Sequence, residues 1–240
     1  MIGTILNTAG ILIGGIAGLS RRRTFSAAAE SNLRVVLGAF TVFYGLRLTW
    51  LGLGGSLGQI LKQLVIAVLA LMLGKLAGRG LRLQRMSNQL GRGARAAIDG
   101  VRPQDPRRLS AGFQACATLF CAAPLGLTGA LVDGLSGYYY PLGIKAVVDG
   151  MATMSFVLVF GPGAMLSALP VLALQGTLTL VCRVLLKPPL EAHNLADSVN
   201  AVAGLLVFSV ALIILGLKKI GLADYLPSLA VAPLLTWLWK

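Results

Sequence analysis

The chain has 240 residues, of which 56% are hydrophobic and only 12% charged, with a net charge of +13 and a mean hydropathy of +0.81. That balance excludes a soluble globular enzyme or binding module. The basic excess does not indicate nucleic acid either, because Lys and Arg gather between apolar segments rather than along one helical face or among interleaved aromatics.

Apolar runs long enough to cross a hydrocarbon core, about 20 residues as helix, recur from Ile2 to Trp239. They predict an all-α integral membrane protein with about eight transmembrane helices, over residues 2–19, 34–51, 59–78, 112–131, 142–160, 163–186, 198–217 and 221–239. The first span has neither a basic leader nor an A-x-A-like cleavage site, so it is expected to stay as a helix. Its Gly10, Gly14 and Gly18, spaced by four, form a flat stripe that fits a neighbouring helix of the same chain or a homodimer seam. Arg21, Arg22, Arg23 and Arg34 bracket the first loop and mark it cytoplasmic, which puts the amino terminus outside.

The third span leads into residues 79–110, read as a basic cytoplasmic loop. Nine of the 21 basic residues lie between Lys75 and Arg108, with only Asp99 and Asp105 among them. Tyr138, Tyr139 and Tyr140 fit the headgroup belt, where a ring is half wet. The Gly161-Pro162-Gly163 corner and Lys218-Lys219 then fall inside, and an even count leaves both termini outside. A weak repeat appears when "MIGTILNTAGILIGG" is laid over "GPGAMLSALPVLALQ", pairing Gly3 with Gly163, Asn7 with Ser167 and Gly15 with Gln175. It predicts a single membrane domain of two inverted three-helix repeats, residues 1–78 and 161–240, joined by a two-helix insert at 111–160.

Polar residues inside the spans are the candidate site. Lys145 and Asp149 are four apart and share a helical face, where pairing reduces a cost of at least about 2.5 kcal/mol for each charge at a helix centre. Lys145 lies near the span end and can snorkel, whereas Asp149 is deeper. Asp133 ends the fourth span and is expected to face Lys145 across a short loop. In the sixth span Pro170 predicts a broken helix whose free carbonyl, that of Leu166, coordinates a cation with help from Ser167 and Gln175. Asn7 occupies the repeat-related position. Cys116, Cys121 and Cys182 read as packing residues, and with His193 the only histidine neither zinc nor a disulfide framework is expected. Neither H-E-x-x-H nor G-x-x-x-x-G-K-[ST] is present, and no enzymatic activity, cofactor or ATP dependence is expected.

Three blocks carry a resemblance: "MIGTILNTAGILIGGIAGL", then "LVDGLSG" followed by "KAVVDGM" and "GPGAMLSALPVLALQGTLTL", and finally "GLKKIGLADYLPSLAVAP". With these the chain resembles the bacterial family known as domain of unknown function 554, the YqgA/YdfK-like membrane proteins, over nearly its whole length. Two positions depart from the family pattern: Asp224 stands where asparagine is expected, and "LADSVNAVAG" lacks the usual glutamate. The resemblance implies a multi-spanning inner-membrane protein without an established substrate. Together with the polar interior it leads to the expectation of a transporter or channel for a small ion or solute, Na+ or H+ favoured, with Asp149, Lys145, Asp133, Ser167, Gln175 and Asn7 at its site. The alternative expectation is a non-transporting scaffold or sensor whose buried charges only lock helices together.

Overall fold

A computed structural model describes residues 1–21, 26–100 and 106–239, with the backbone alone for Asp99. Arg22, Arg23 and Asp105, which marked the loops, lie outside the described residues. Among those described, every regular element is helical. Five helical segments are long and apolar enough to cross a membrane, six with one bent pair counted as a single span. Their outward faces carry large apolar side chains such as Ile13, Phe43, Val68 and Leu169 in the open, which is stable only against lipid. The fold is that of an all-α integral membrane protein.

Helix α1 (Ile2–Arg21) packs along α7 (Tyr140–Phe160) through the predicted glycine stripe. A Cβ on Gly10 would overlap the carbonyl of Ala146, one on Gly14 that of Gly150, and one on Gly18 that of Met154. The contacts advance in the same direction on both helices, so α1 and α7 run parallel. The stripe packs against the chain's own helix, the first of the two uses expected for it.

Helix α2 (Ala27–Leu51) starts earlier than the predicted span because Ser26 caps it, accepting the Ala29 N–H at 3.2 Å. It packs antiparallel on α10 (Ala196–Ile214), with Gly45 against Gly204 and Phe208 and Gly52 against Asp197 and Ala201. Helix α3 (Leu57–Gly80) meets α11 (Ser228–Leu238) in the same antiparallel way, Gly74 at Ser228 and Gly78 at Asp224.

Residues 79–110 are not simply a loop. They hold α4 (Leu83–Gly100), whose Leu83, Met86, Leu90, Ala94 and Ala97 recur at helical spacing opposite Arg85, Arg92 and Arg95. The later part of that stripe, with Ala94 buried, packs on α5 (Arg108–Ala122), which is why a strongly basic segment folds as a helix. Asp224 Oδ1 accepts the Gln84 N–H at 2.8 Å and Gln84 Oε1 accepts the Ala223 N–H at 3.1 Å, so the two chain segments cap each other.

The predicted span at 112–131 is two helices, α5 and α6 (Pro124–Ser136), meeting at 58°. Pro124 supplies no N–H to continue α5 and its fixed φ suits the first position of α6. Gly112 of α5 touches Phe160 at one end of the molecule, whereas Gly134 of α6 touches Thr179 and Cys182 at the other, so the bent pair runs from end to end. After α7 the chain reverses at Gly161, which takes φ 65, through a 3-10 turn over Gly161–Ser167 into α8 (Ala168–Val181). Pro170 does not break a helix. It sits in the first turn of α8, where its missing N–H would have had no partner. Beyond a π turn at Cys182–Leu186 and the short α9 (Lys187–Ala192), the predicted last span divides into a 3-10 turn at Leu222–Tyr225 and α11.

Candidate functional site

Helix α7 places Lys145 and Asp149 one turn apart on its inward face, and their side chains form a hydrogen-bonded ion pair. Lys145 is 2% exposed and Asp149 5%. Breaking such a pair by removing one partner leaves a buried charge without compensation. The bend between α5 and α6 closes over the lysine: its ammonium lies 5.6 Å from the Phe120 ring centroid, and a Cβ on Gly126 would approach its Cε to 2.9 Å.

Two amides complete the cluster. Asn7 of α1 donates from Nδ2 to Gln175 Oε1 of α8 at 3.2 Å and also faces the Asp149 carboxylate. Both side chains are buried, yet Asn7 Oδ1 and Gln175 Nε2 have no hydrogen-bond partner among the described residues. A buried polar atom left so costs about 1 to 3 kcal/mol, so these two atoms need an explanation beyond helix packing. One turn toward the start of α1, Thr4 and Thr179 face each other at 3.3 Å. Thr179 donates its proton to the Ala130 carbonyl at 3.1 Å, which leaves Thr4 as the donor between the two hydroxyls.

Of the six residues predicted for the site, Asp149, Lys145, Asn7 and Gln175 come together. Asp133 does not face Lys145: its Oδ2 accepts the Gly3 N–H at 3.0 Å and lies 3.0 Å from the Met1 ammonium, because α6 carries it past the pair toward the first turn of α1. Ser167 donates to the Ala164 carbonyl at 2.6 Å inside the 3-10 turn, near the contact of Gly15 with Met165 and away from the amides. Thr4, Thr179, Phe120 and Gly126 were missed. The spacing of Thr4 from Asn7 by three and Gln175 from Thr179 by four was a readable signal, since each pair shares a helical face.

Two other features are structural. Tyr138 is 6% exposed rather than half wet, and its hydroxyl donates to the Tyr44 carbonyl at 2.7 Å. Burial pushes its phenol up to about 12, so it remains a donor. The string Gly54-Gly55-Ser56-Leu57-Gly58 satisfies the G-x-S-x-G spacing of serine hydrolases, but Ser56 is exposed and opens α3, with its N–H on Gln59 Oε1 at 2.8 Å. The strand-to-helix elbow that makes this motif catalytic is absent from the described residues.

A family described as "Protein of unknown function (DUF554)" matches residues 2–237. The chain is 28% identical over 240 residues to the uncharacterized protein YqgA of Escherichia coli strain K12, covering 100% of this chain and 97% of that protein. It is 27% identical over 233 residues to the uncharacterized membrane protein YdfK of Bacillus subtilis strain 168, covering 97% and 94%. No solved structure matches. With the family pattern running through every helix that builds the ion-pair cluster, the chain belongs to the DUF554 family of multi-pass membrane proteins of unknown function.

Proposed function

We propose that the protein is a transporter for a small cation, H+ or Na+, across the bacterial inner membrane, and that Asp149 is its ion site. The observation that carries this reading is the buried Lys145–Asp149 pair, set at the bend of a broken span beside two unpartnered amide atoms. A charge in mid-membrane is costly, and broken helices in membrane proteins are tolerated where they line a site. In the closed state Lys145 occupies the carboxylate in place of the ion. Arrival of a cation at Asp149 releases the ammonium, and Asn7 Oδ1 supplies a further oxygen. Lys145 thus acts as a resident competitor, and an ion gradient rather than ATP drives the cycle.

Two broader features support the reading. Helices α1 and α8, α2 and α10, and α3 and α11 pack antiparallel in pairs, as two inverted three-helix repeats about a pseudo-two-fold axis would. Arg21, Arg79, Arg85, Arg95, Arg108 and Lys218 gather at the end of the molecule opposite Met1, which supports an amino terminus outside. The scaffold reading has one observation in its favour, that the two charges neutralise each other out of water.

Flux through proteoliposomes separates the two. With a pH-sensitive dye inside and an imposed H+ or Na+ gradient, the unmodified chain should dissipate the gradient and Asp149→Asn should not, while eluting as the same monodisperse species. Equal flux from both, or none from the unmodified chain with either ion, contradicts the reading.

A further inference from the structure

The surroundings of the ion pair differ toward the two faces of the membrane. Toward the start of α1, polar side chains continue the cluster in steps. Asn7 faces Gln175 at 3.2 Å, Thr4 faces Thr179 at 3.3 Å, and Asp133 then accepts the Gly3 N–H at 3.0 Å. None of these five side chains belongs to a residue more than 4% exposed. They line one seam between α1, α6 and α8, because antiparallel packing sets residues three or four apart on α1 opposite residues four apart on α8. Toward the basic face one further buried hydroxyl, that of Thr153, is occupied by donating to the Asp149 carbonyl at 2.7 Å, and the series then stops. The next step is Ile11 with Val171, both 0% exposed, in a cluster with Phe120, Val157 and Phe160.

Successive steps are one helical turn apart, about 5.4 Å. Two hydrogen bonds of about 2.8 Å through one water span that gap. The unpartnered atoms suit such a molecule: Asn7 Oδ1 accepts and Gln175 Nε2 donates, which a water satisfies at once. Position 176 lies on the same seam at the level of Thr4, since a Cβ there would meet only Met1 Cε at 3.7 Å and Thr4 Cγ2 at 3.9 Å, ordinary contact distances.

The geometry points to a one-sided, water-bridged proton route along the α1–α6–α8 seam, from Asp133 past Thr4 and Thr179 to Asn7, Gln175 and Asp149, closed toward the basic face by the apolar cluster. This rests on the transport reading above and selects H+ over Na+, because single waters between hydroxyls and amides pass protons without offering the oxygen cage that Na+ needs. A hydronium reaching the carboxylate gives up its proton, leaving water and a neutral acid, and the Lys145 ammonium is freed.

Radiolytic labelling in 18O water tests the route without measuring flux. The full chain carries Gly176→Cys together with Cys121→Ala and Cys182→Ala, so that the thiol at position 176 reports the seam and native Cys116, itself in the apolar cluster, reports the closed side. Hydroxyl radicals formed from bound water should add oxygen to the seam thiol at least tenfold faster than to Cys116. Equal rates, or faster oxidation of Cys116, overturn the route. Should that variant fail to elute as the unmodified chain does, Thr179→Val decides: proton flux should fall at least tenfold, and unchanged flux overturns the route. A labelled seam with no flux from the unmodified chain keeps the water path and removes the transport reading. Asp149-dependent flux with an unlabelled seam does the opposite.

Discussion

Lys145 and Asp149 hold each other in the buried interior, and the value of each depends on the other. Asp149→Ala leaves a buried ammonium and should cost about 3 to 5 kcal/mol, seen as a large drop in thermal unfolding midpoint in detergent. Lys145→Met combined with Asp149→Leu removes both charges and should recover most of that loss. Recovery would mean that the pair is not needed for folding. The pair was legible in the sequence because i, i+4 spacing puts two charges on one face whatever surrounds them. Its true neighbours were not, since Phe120 and Gly126 reach Lys145 only through the bend at Pro124, and Asn7 meets Gln175 across 168 residues. Asp133 was misplaced for the related reason that sequence proximity to Lys145 says nothing of the direction in which α6 leaves.

At the scale of helices, close packing and mutual caps set the geometry. Gly14→Val would force a side chain into the Gly150 backbone, and overpacking of this kind costs at least about 1 to 3 kcal/mol. Loss of the monodisperse species on size exclusion is the expected result. Asp224→Ala removes the cap from α4, worth about 1 kcal/mol, and should speed proteolysis within residues 83–100. Asp224→Asn keeps an accepting oxygen and should leave the cleavage rate near that of the unmodified chain, which accounts for an aspartate where the family pattern suggested asparagine. Helix α4 and the α5–α6 bend were the elements least visible in the sequence. Basic side chains masked the apolar stripe of α4, and hydropathy stays high across Pro124, so a proline at a helix start and one inside a helix looked alike. The same ambiguity put a break at Pro170 that the chain makes instead at Gly161.

For the whole molecule, the helix directions place Gly137 and Met1 at one end and Lys218 at the other. In right-side-out vesicles a bulky impermeant thiol reagent should label Gly137→Cys from outside and Lys218→Cys only after permeabilisation, and the reverse pattern would invert the proposed orientation. Hydropathy and composition made the helical membrane architecture readable at this scale because lipid demands continuous apolar helices. They could not show that polar side chains line one seam above the ion pair and apolar ones close the other side. The most direct measurement of the central claim is proton flux in proteoliposomes by the Lys145→Met, Asp149→Leu double variant, alongside its unfolding midpoint. A stable protein with no flux is the predicted result, and a stable protein with flux equal to that of the unmodified chain would contradict an ion site at Asp149.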